Sequence, residues 1–165
     1  MTATQPHGHC PAASFPVQPL PMNQPWLLIQ LVVTAALCGL CWTVQLAVYA
    51  HFPHLLTTCG SDCFRSYHAA YVRSMGFVAA PLMLAEAGLV AWGCWAAPAS
   101  VGAWLGAAAV ILIWALTFGL IVPVHNRLQA APDAPNMARL NRLNTVRTAL
   151  WTTRTVLLLG VGLAA

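Results

Sequence analysis

Four long apolar stretches dominate the chain. They run from Trp26 to Ala50, from Ser74 to Ala97 with only Glu86 inside, from Val101 to Val122, and from Thr148 to Ala165 with only Arg154 inside. A bilayer core about 30 Å thick takes about 20 helical residues, so each stretch is sized for roughly one crossing. None of them alternates apolar with polar positions, which excludes barrel strands, and a helix in lipid satisfies its own backbone. The pattern predicts an all-α polytopic membrane protein, a four-transmembrane-helix bundle.

Turn chemistry divides the stretches. Asn23-Gln24-Pro25 starts helix one with a polar cap and an early proline, and His51-Phe52-Pro53 ends it. Helix two is expected to begin early, near Ser61-Asp62, and to project beyond the bilayer. Pro98-Ala99-Ser100 leaves almost no loop, so helices two and three form an antiparallel pair. Pro123 is expected to close helix three, and Ala131-Pro132-Asp133-Ala134-Pro135 to turn the chain into helix four. Residues 1–24 carry five prolines and no charge and read as a disordered tail. They lack the basic start and cleavage site of a secretory signal, and His7-Gly8-His9-Cys10 within them has nothing nearby to preorganise it for a metal. Residues 25–165 read as a single transmembrane domain.

Composition narrows the function classes. The chain is 59% hydrophobic and 6% charged, with a mean hydropathy of +0.71, far from the roughly 25% charged content of soluble domains. A soluble globule and a disordered chain are excluded. The net charge of +4 comes from seven arginines against Asp62, Glu86 and Asp133, too scattered for a phosphate-tracking surface, so no nucleic-acid partner is expected. Arg65, Arg73, Arg127, Arg139, Arg142 and Arg147 gather on the side of the helix one–two and three–four connections. The positive-inside rule makes that side cytoplasmic and puts both termini outside, in a bacterial-type inner membrane.

The cysteines make no framework. Cys38-Gly39-Leu40-Cys41 has redox spacing but sits mid-span, where thiols are inert small hydrophobes. Cys59 and Cys63 flank a short connection and have the spacing for a disulfide or a metal clasp, although a cytoplasmic disulfide should not persist.

Polar side chains within a bilayer are expensive, so their positions carry the functional signal. Glu86 and Arg154 lie near the midplanes of their spans and predict a structural ion pair. Toward the arginine-rich end, Gln45, Tyr49, Arg73 and Asn144 are the expected binding groups and His68, His125 and Arg147 the expected catalytic ones, and all of these but Arg73 are expected to line one cavity that opens there. Imidazoles, a phenol, amides and guanidinium groups suit an apolar, phenolic or anionic small molecule, with arginine holding the anion and histidine moving a proton. No cofactor is assigned. If haem, copper or iron were held, His51, His54, His68 and His125 would be the ligands, although no helical His-x-x-x-His or Glu-x-x-His pair occurs. Gly102-Ala103-Trp104-Leu105-Gly106 has the spacing of close helix contacts, which suits packing or homo-oligomerisation.

The run Val122-Pro123-Val124-His125-Asn126-Arg127-Leu128, followed after a short turn by Asn144-Thr145-Val146-Arg147-Thr148, resembles the anthrone-oxygenase-like family of small four-helix membrane proteins. In that family a V-P-x-N-x-x-L end of helix three precedes an N-x-x-R-T start of helix four. Here His125 stands two positions after Pro123, so the first motif is met approximately. The resemblance implies oxygenation of polycyclic phenols: a base, His125 or His68, would deprotonate an anthrone, and Arg147 with Asn144 would stabilise the oxyanion. The other class open to the sequence is a non-catalytic membrane protein that binds a lipid or a partner subunit.

Overall fold

The structure is a computed structural model and describes residues 25–163. The expected tail and its His7-Gly8-His9-Cys10 lie outside the described residues. Every element within them is helical. Helix α1 (Pro25–Thr43) widens into a π turn over Val44–Val48 and a single 3-10 turn over Tyr49–His51. It is followed without a loop by α2 (Phe52–Ala96), then α3 (Val101–Leu116), a second π turn over Thr117–Ile121, α4 (Val122–Ala130) and α5 (Ala134–Leu163).

The breaks follow from local chemistry. Gly60 interrupts α2 at φ +81°, a left-handed conformation that glycine adopts without a Cβ clash, and the long apolar rod restarts at Ser61 as expected. Ser100 caps α3, its hydroxyl accepting the Ala103 N–H at 3.3 Å. Asp133 caps α5, its carboxylate accepting the Asn136 N–H at 2.7 Å. The expectation for Pro123 is corrected: the helix does not end there. Proline lacks an N–H and crowds the carbonyl four residues back, here Gly119. That residue lies in the π turn, where the Val122 N–H reaches the Thr117 carbonyl instead, so the widened turn absorbs the proline and α4 runs on to Ala130.

Helix α1 packs on α5 and α2, α3 on α2 and α5, and α4 on α2 and α5. At one end α2 meets the last turn of α4, where Arg65 Nη1 donates to the Ala130 carbonyl at 3.2 Å. Trp26, Gly93, Gly102 and Val161 gather at the other end around a cavity of about 100 Å³. Two helical stretches, Pro25–Ala96 with its break at Gly60 and Val101–Ala130, are long and apolar enough to cross a membrane. Their outward faces expose Leu28, Val32, Phe77, Trp95, Leu105 and Ile111.

Between the ends sits the predicted ion pair. Glu86 is 0% and Arg154 6% exposed. Arg154 donates to Glu86 Oε1 through Nε at 2.8 Å and Nη2 at 2.5 Å. Two further partners complete it: Thr34 donates to Glu86 Oε2 at 2.9 Å, and Arg154 Nη1 donates to the Gly106 carbonyl at 3.1 Å. A Cβ on Gly106 would stand 3.0 Å from that nitrogen. The second glycine of the small-residue motif therefore has a use within the chain.

Candidate functional site

The first link comes from the end of α1. The π turn over Val44–Val48 carries Gln45, and the 3-10 turn after it delivers Tyr49, 4% exposed, against Phe52 and Phe64. The second π turn precedes Val122–Ala130 and so sets the direction in which His125 leaves α4. Helical segments of this kind concentrate at functional sites, and here both flank the same group of polar residues.

Tyr49, His125, His68 and Gln129 form one hydrogen-bonded chain. The Tyr49 hydroxyl lies 2.9 Å from His125 Nε2, His125 Nδ1 lies 2.9 Å from His68 Nε2, and His68 Nδ1 lies 2.9 Å from Gln129 Oε1. His68 is buried, stacked on Phe64 with ring centroids 5.6 Å apart, whereas Gln129 is exposed. Gln129 also donates through Nε2 to the Arg65 carbonyl at 3.2 Å.

Beside this chain lies a cavity of about 350 Å³, within the usual size range of small-molecule sites. Gly76, Ala79 and Ala80 on α2 leave the space, and Trp114, Thr117 and Phe118 face them from α3 and the π turn after it. The walls are almost wholly apolar. Tyr71, His125 and Arg147 are the principal polar groups at the lining. Arg147 has no carboxylate partner among the described residues, its buried Nε has no acceptor there, and its charge acts on Cys41, Tyr49, Tyr71 and His125. The buried Trp114 indole N–H is likewise without an acceptor among the described residues.

The expected site thus divides. His125 and Arg147 line the cavity, while Tyr49 and His68 stand behind its wall in the hydrogen-bonded chain. Gln45 and Asn144 do not face it. Gln45 Nε2 donates to Asn141 Oδ1 at 2.6 Å, and Asn144 Nδ2 donates to Gln45 Oε1 at 2.8 Å and to the Cys41 carbonyl at 3.4 Å. This amide cluster ties the π turn to α5, so Asn144's donors are not available for an oxyanion. Arg73 is exposed and lies outside the lining. Among the lining residues Val72, Leu84, Phe118 and Val122 are exposed, Leu84 by 64% and Phe118 by 57%.

The four histidines do not converge. His51 and His54 are exposed, both ring nitrogens of His68 and of His125 are engaged in the chain, and no three His, Cys, Asp or Glu among the described residues form a metal-binding group. Cys38, Cys41, Cys59 and Cys63 are free thiols, Cys38 lying 3.4 Å from the Thr152 hydroxyl. Trp114 and Gln129 went unforeseen, the first inside a featureless apolar run and the second in a segment that reads as a polar helix end. Comparison with protein-family models, with curated proteins and with solved structures gives no match for this chain.

Proposed function

We propose that this is an integral membrane protein of four transmembrane helices whose arginine-rich end is cytoplasmic, with both termini outside. The four apolar stretches and the large hydrophobic side chains on the outward faces support it, since soluble proteins rarely expose such continuous apolar surface. The one-sided arginines support the orientation. A periplasmic reporter fused after Ala165 should be active, and activity of only a cytoplasmic reporter there would reverse the orientation.

The α2–α3 cavity takes an apolar small molecule with an acidic oxygen, a phenol or its anion, entering sideways from the bilayer. The observation that carries this reading is Arg147, a guanidinium at the wall of an apolar cavity with no carboxylate among the described residues to neutralise it. In a low-dielectric site a cation of this kind favours a negatively charged partner. The resemblance to anthrone oxygenases extends the reading to catalysis. An anthrone loses a proton toward the His125 chain, its anion is held at Arg147, and dioxygen completes the reaction to an anthraquinone and one water.

Two measurements test this. 4-Nitrophenol, whose anion is yellow, should bind in detergent at a pH where the free phenol is protonated and turn yellow on binding. Arg147→Ala should weaken it about tenfold to a hundredfold, the worth of a hydrogen bond to a charged group. Gly76→Leu places a side chain where an added Cβ meets open space and should block binding. Anthrone with purified protein should consume one dioxygen per anthrone. Binding without oxygen consumption favours the second reading, a non-catalytic protein holding a lipid-like acid, for which the exposed apolar lining residues Leu84 and Phe118 are the supporting observation.

A further inference from the structure

We infer that Tyr49, His125 and His68 form a one-way-poised proton relay from the cavity to the aqueous end of the molecule, with His68 as the buried link and Gln129 as its outlet. The inference deepens the cavity reading and rests on it for the source of the proton.

The direction of every hydrogen bond follows from one amide. Gln129 Nε2 donates to the Arg65 carbonyl, and a carbonyl can only accept, so Gln129 Oε1 faces His68. His68 Nδ1 must then carry the proton. In a neutral imidazole its Nε2 is an acceptor, so His125 Nδ1 donates to it. His125 Nε2 is then an acceptor as well, and the Tyr49 hydroxyl donates to it. Both imidazoles are neutral Nδ1–H tautomers, with their lone pairs facing the cavity side and their N–H groups facing the exit. Tyr71 lines the cavity, and its ring meets that of Tyr49 edge-on with centroids 6.1 Å apart.

A proton crosses this chain without leaving a buried charge behind. The bound phenol gives its proton to the Tyr71 oxygen, Tyr71 passes its own to Tyr49, and Tyr49 passes its own to His125 Nε2. His125 releases its Nδ1 proton to His68 Nε2, and His68 releases its Nδ1 proton to water beside Gln129, which is exposed. One proton enters and one leaves, no electrons move, and the phenolate remains beside Arg147. Both imidazoles finish as neutral Nε2–H tautomers. His68 Nδ1 then presents a lone pair to Gln129, so the amide must turn and donate from Nε2, giving up the Arg65 carbonyl. Gln129 thereby marks which state the relay is in. The titratable and charged groups that face the two imidazoles are Tyr49, Tyr71 and Arg147 from α5, and near the outlet stand Arg65 and its ion-pair partner Asp62.

Nitrogen-15 NMR of histidine-labelled protein in detergent tests the resting state without any ligand. His68 and His125 should both be Nδ1–H, and Nε2–H on either one overturns the relay. Stopped-flow mixing with 4-nitrophenol, with a pH indicator in weak buffer, tests transfer. Wild type should release one proton per bound probe. Tyr49→Phe keeps the ring and removes only the hydroxyl link, and His68→Phe keeps the stacking on Phe64. Each should bind the probe with unchanged affinity and release the proton about a hundredfold more slowly, a typical size for lost general acid–base assistance. Unchanged release, or a loss of release in proportion to a loss of binding, overturns the relay. If Tyr49→Phe folds and His68→Phe does not, the first variant decides. Failure of wild type to bind 4-nitrophenol would count against the cavity reading, while the tautomers still decide the relay's wiring.

Discussion

Two arginines on the same face of α5, two helical turns apart, have opposite surroundings. Arg154 is enclosed: Glu86 accepts two of its N–H groups, the Gly106 carbonyl accepts a third, and Thr34 occupies the other carboxylate oxygen. Arg147 has no carboxylate, a buried Nε without an acceptor among the described residues, and a cavity in front of it. A buried charge without its partner is costly, so a chain that satisfies one guanidinium so fully has no packing reason to leave the other short. The enclosed arginine holds helices together, and the open one is available to something that is not part of the chain.

The largest effect should come from breaking the enclosed pair. Glu86→Gln and Arg154→Met should each destabilise the protein by about 3–5 kcal/mol, because each strands one buried charge. The double variant should recover part of that loss in thermal unfolding followed in detergent, and additive losses would remove the coupling. Arg147→Met is the counterpart, expected within about 1 kcal/mol of wild-type stability. If it destabilises as much as Arg154→Met, Arg147 is structural and the contrast between the two fails.

A smaller effect separates the enclosed arginine's own contacts. Gly106→Ala puts a Cβ 3.0 Å from Arg154 Nη1, close enough to push that nitrogen off the Gly106 carbonyl while leaving the two Glu86 bonds in place. A loss of about 1 kcal/mol is expected, the net worth of one hydrogen bond. A loss as large as that of Glu86→Gln would mean that the glycine serves a closer approach than this one contact.

The enclosed site was legible in the sequence and the open one only partly so. Glu86 and Arg154 are the sole charges in their apolar stretches, and opposite charges at one depth have few alternatives to each other. At about 100° per residue Thr34, Cys38, Gln45 and Tyr49 fall within one face of helix one, and each finds a partner across the interface. The two π turns have no comparable signature. They add a residue to a turn without altering composition, and they rotate Gln45 toward Asn141 and Asn144 and carry the helix through Pro123. Gln45 and Asn144 thus satisfy each other's polar groups instead of lining the cavity. The cavity itself depends on Gly76, Ala79 and Ala80 meeting Trp114 and Phe118 across α2 and α3, and small residues on one helix signify space only once the facing helix is known.

The smallest effect concerns the second unsatisfied donor at the open site. The Trp114 indole N–H is buried without an acceptor among the described residues, and the residue lines the same cavity as Arg147. Trp114→Phe keeps an aromatic wall and removes the donor. The lost ring area costs stability, but the desolvation penalty of an unpaired N–H, about 1–3 kcal/mol, disappears with it, so the empty protein should change by less than about 1 kcal/mol. In the occupied protein the sign depends on the ligand. A molecule with one oxygen at Arg147 and a second acceptor within reach of Trp114 loses one neutral hydrogen bond, about threefold to tenfold in affinity, whereas a phenol with a single oxygen loses nothing at that end. Affinities of 4-nitrophenol and unsubstituted phenol for wild type and Trp114→Phe separate the two: a loss confined to the nitro compound marks Trp114 as the second anchor of the open site. Equal affinities for both proteins would leave Arg147 as the polar contact that sets binding.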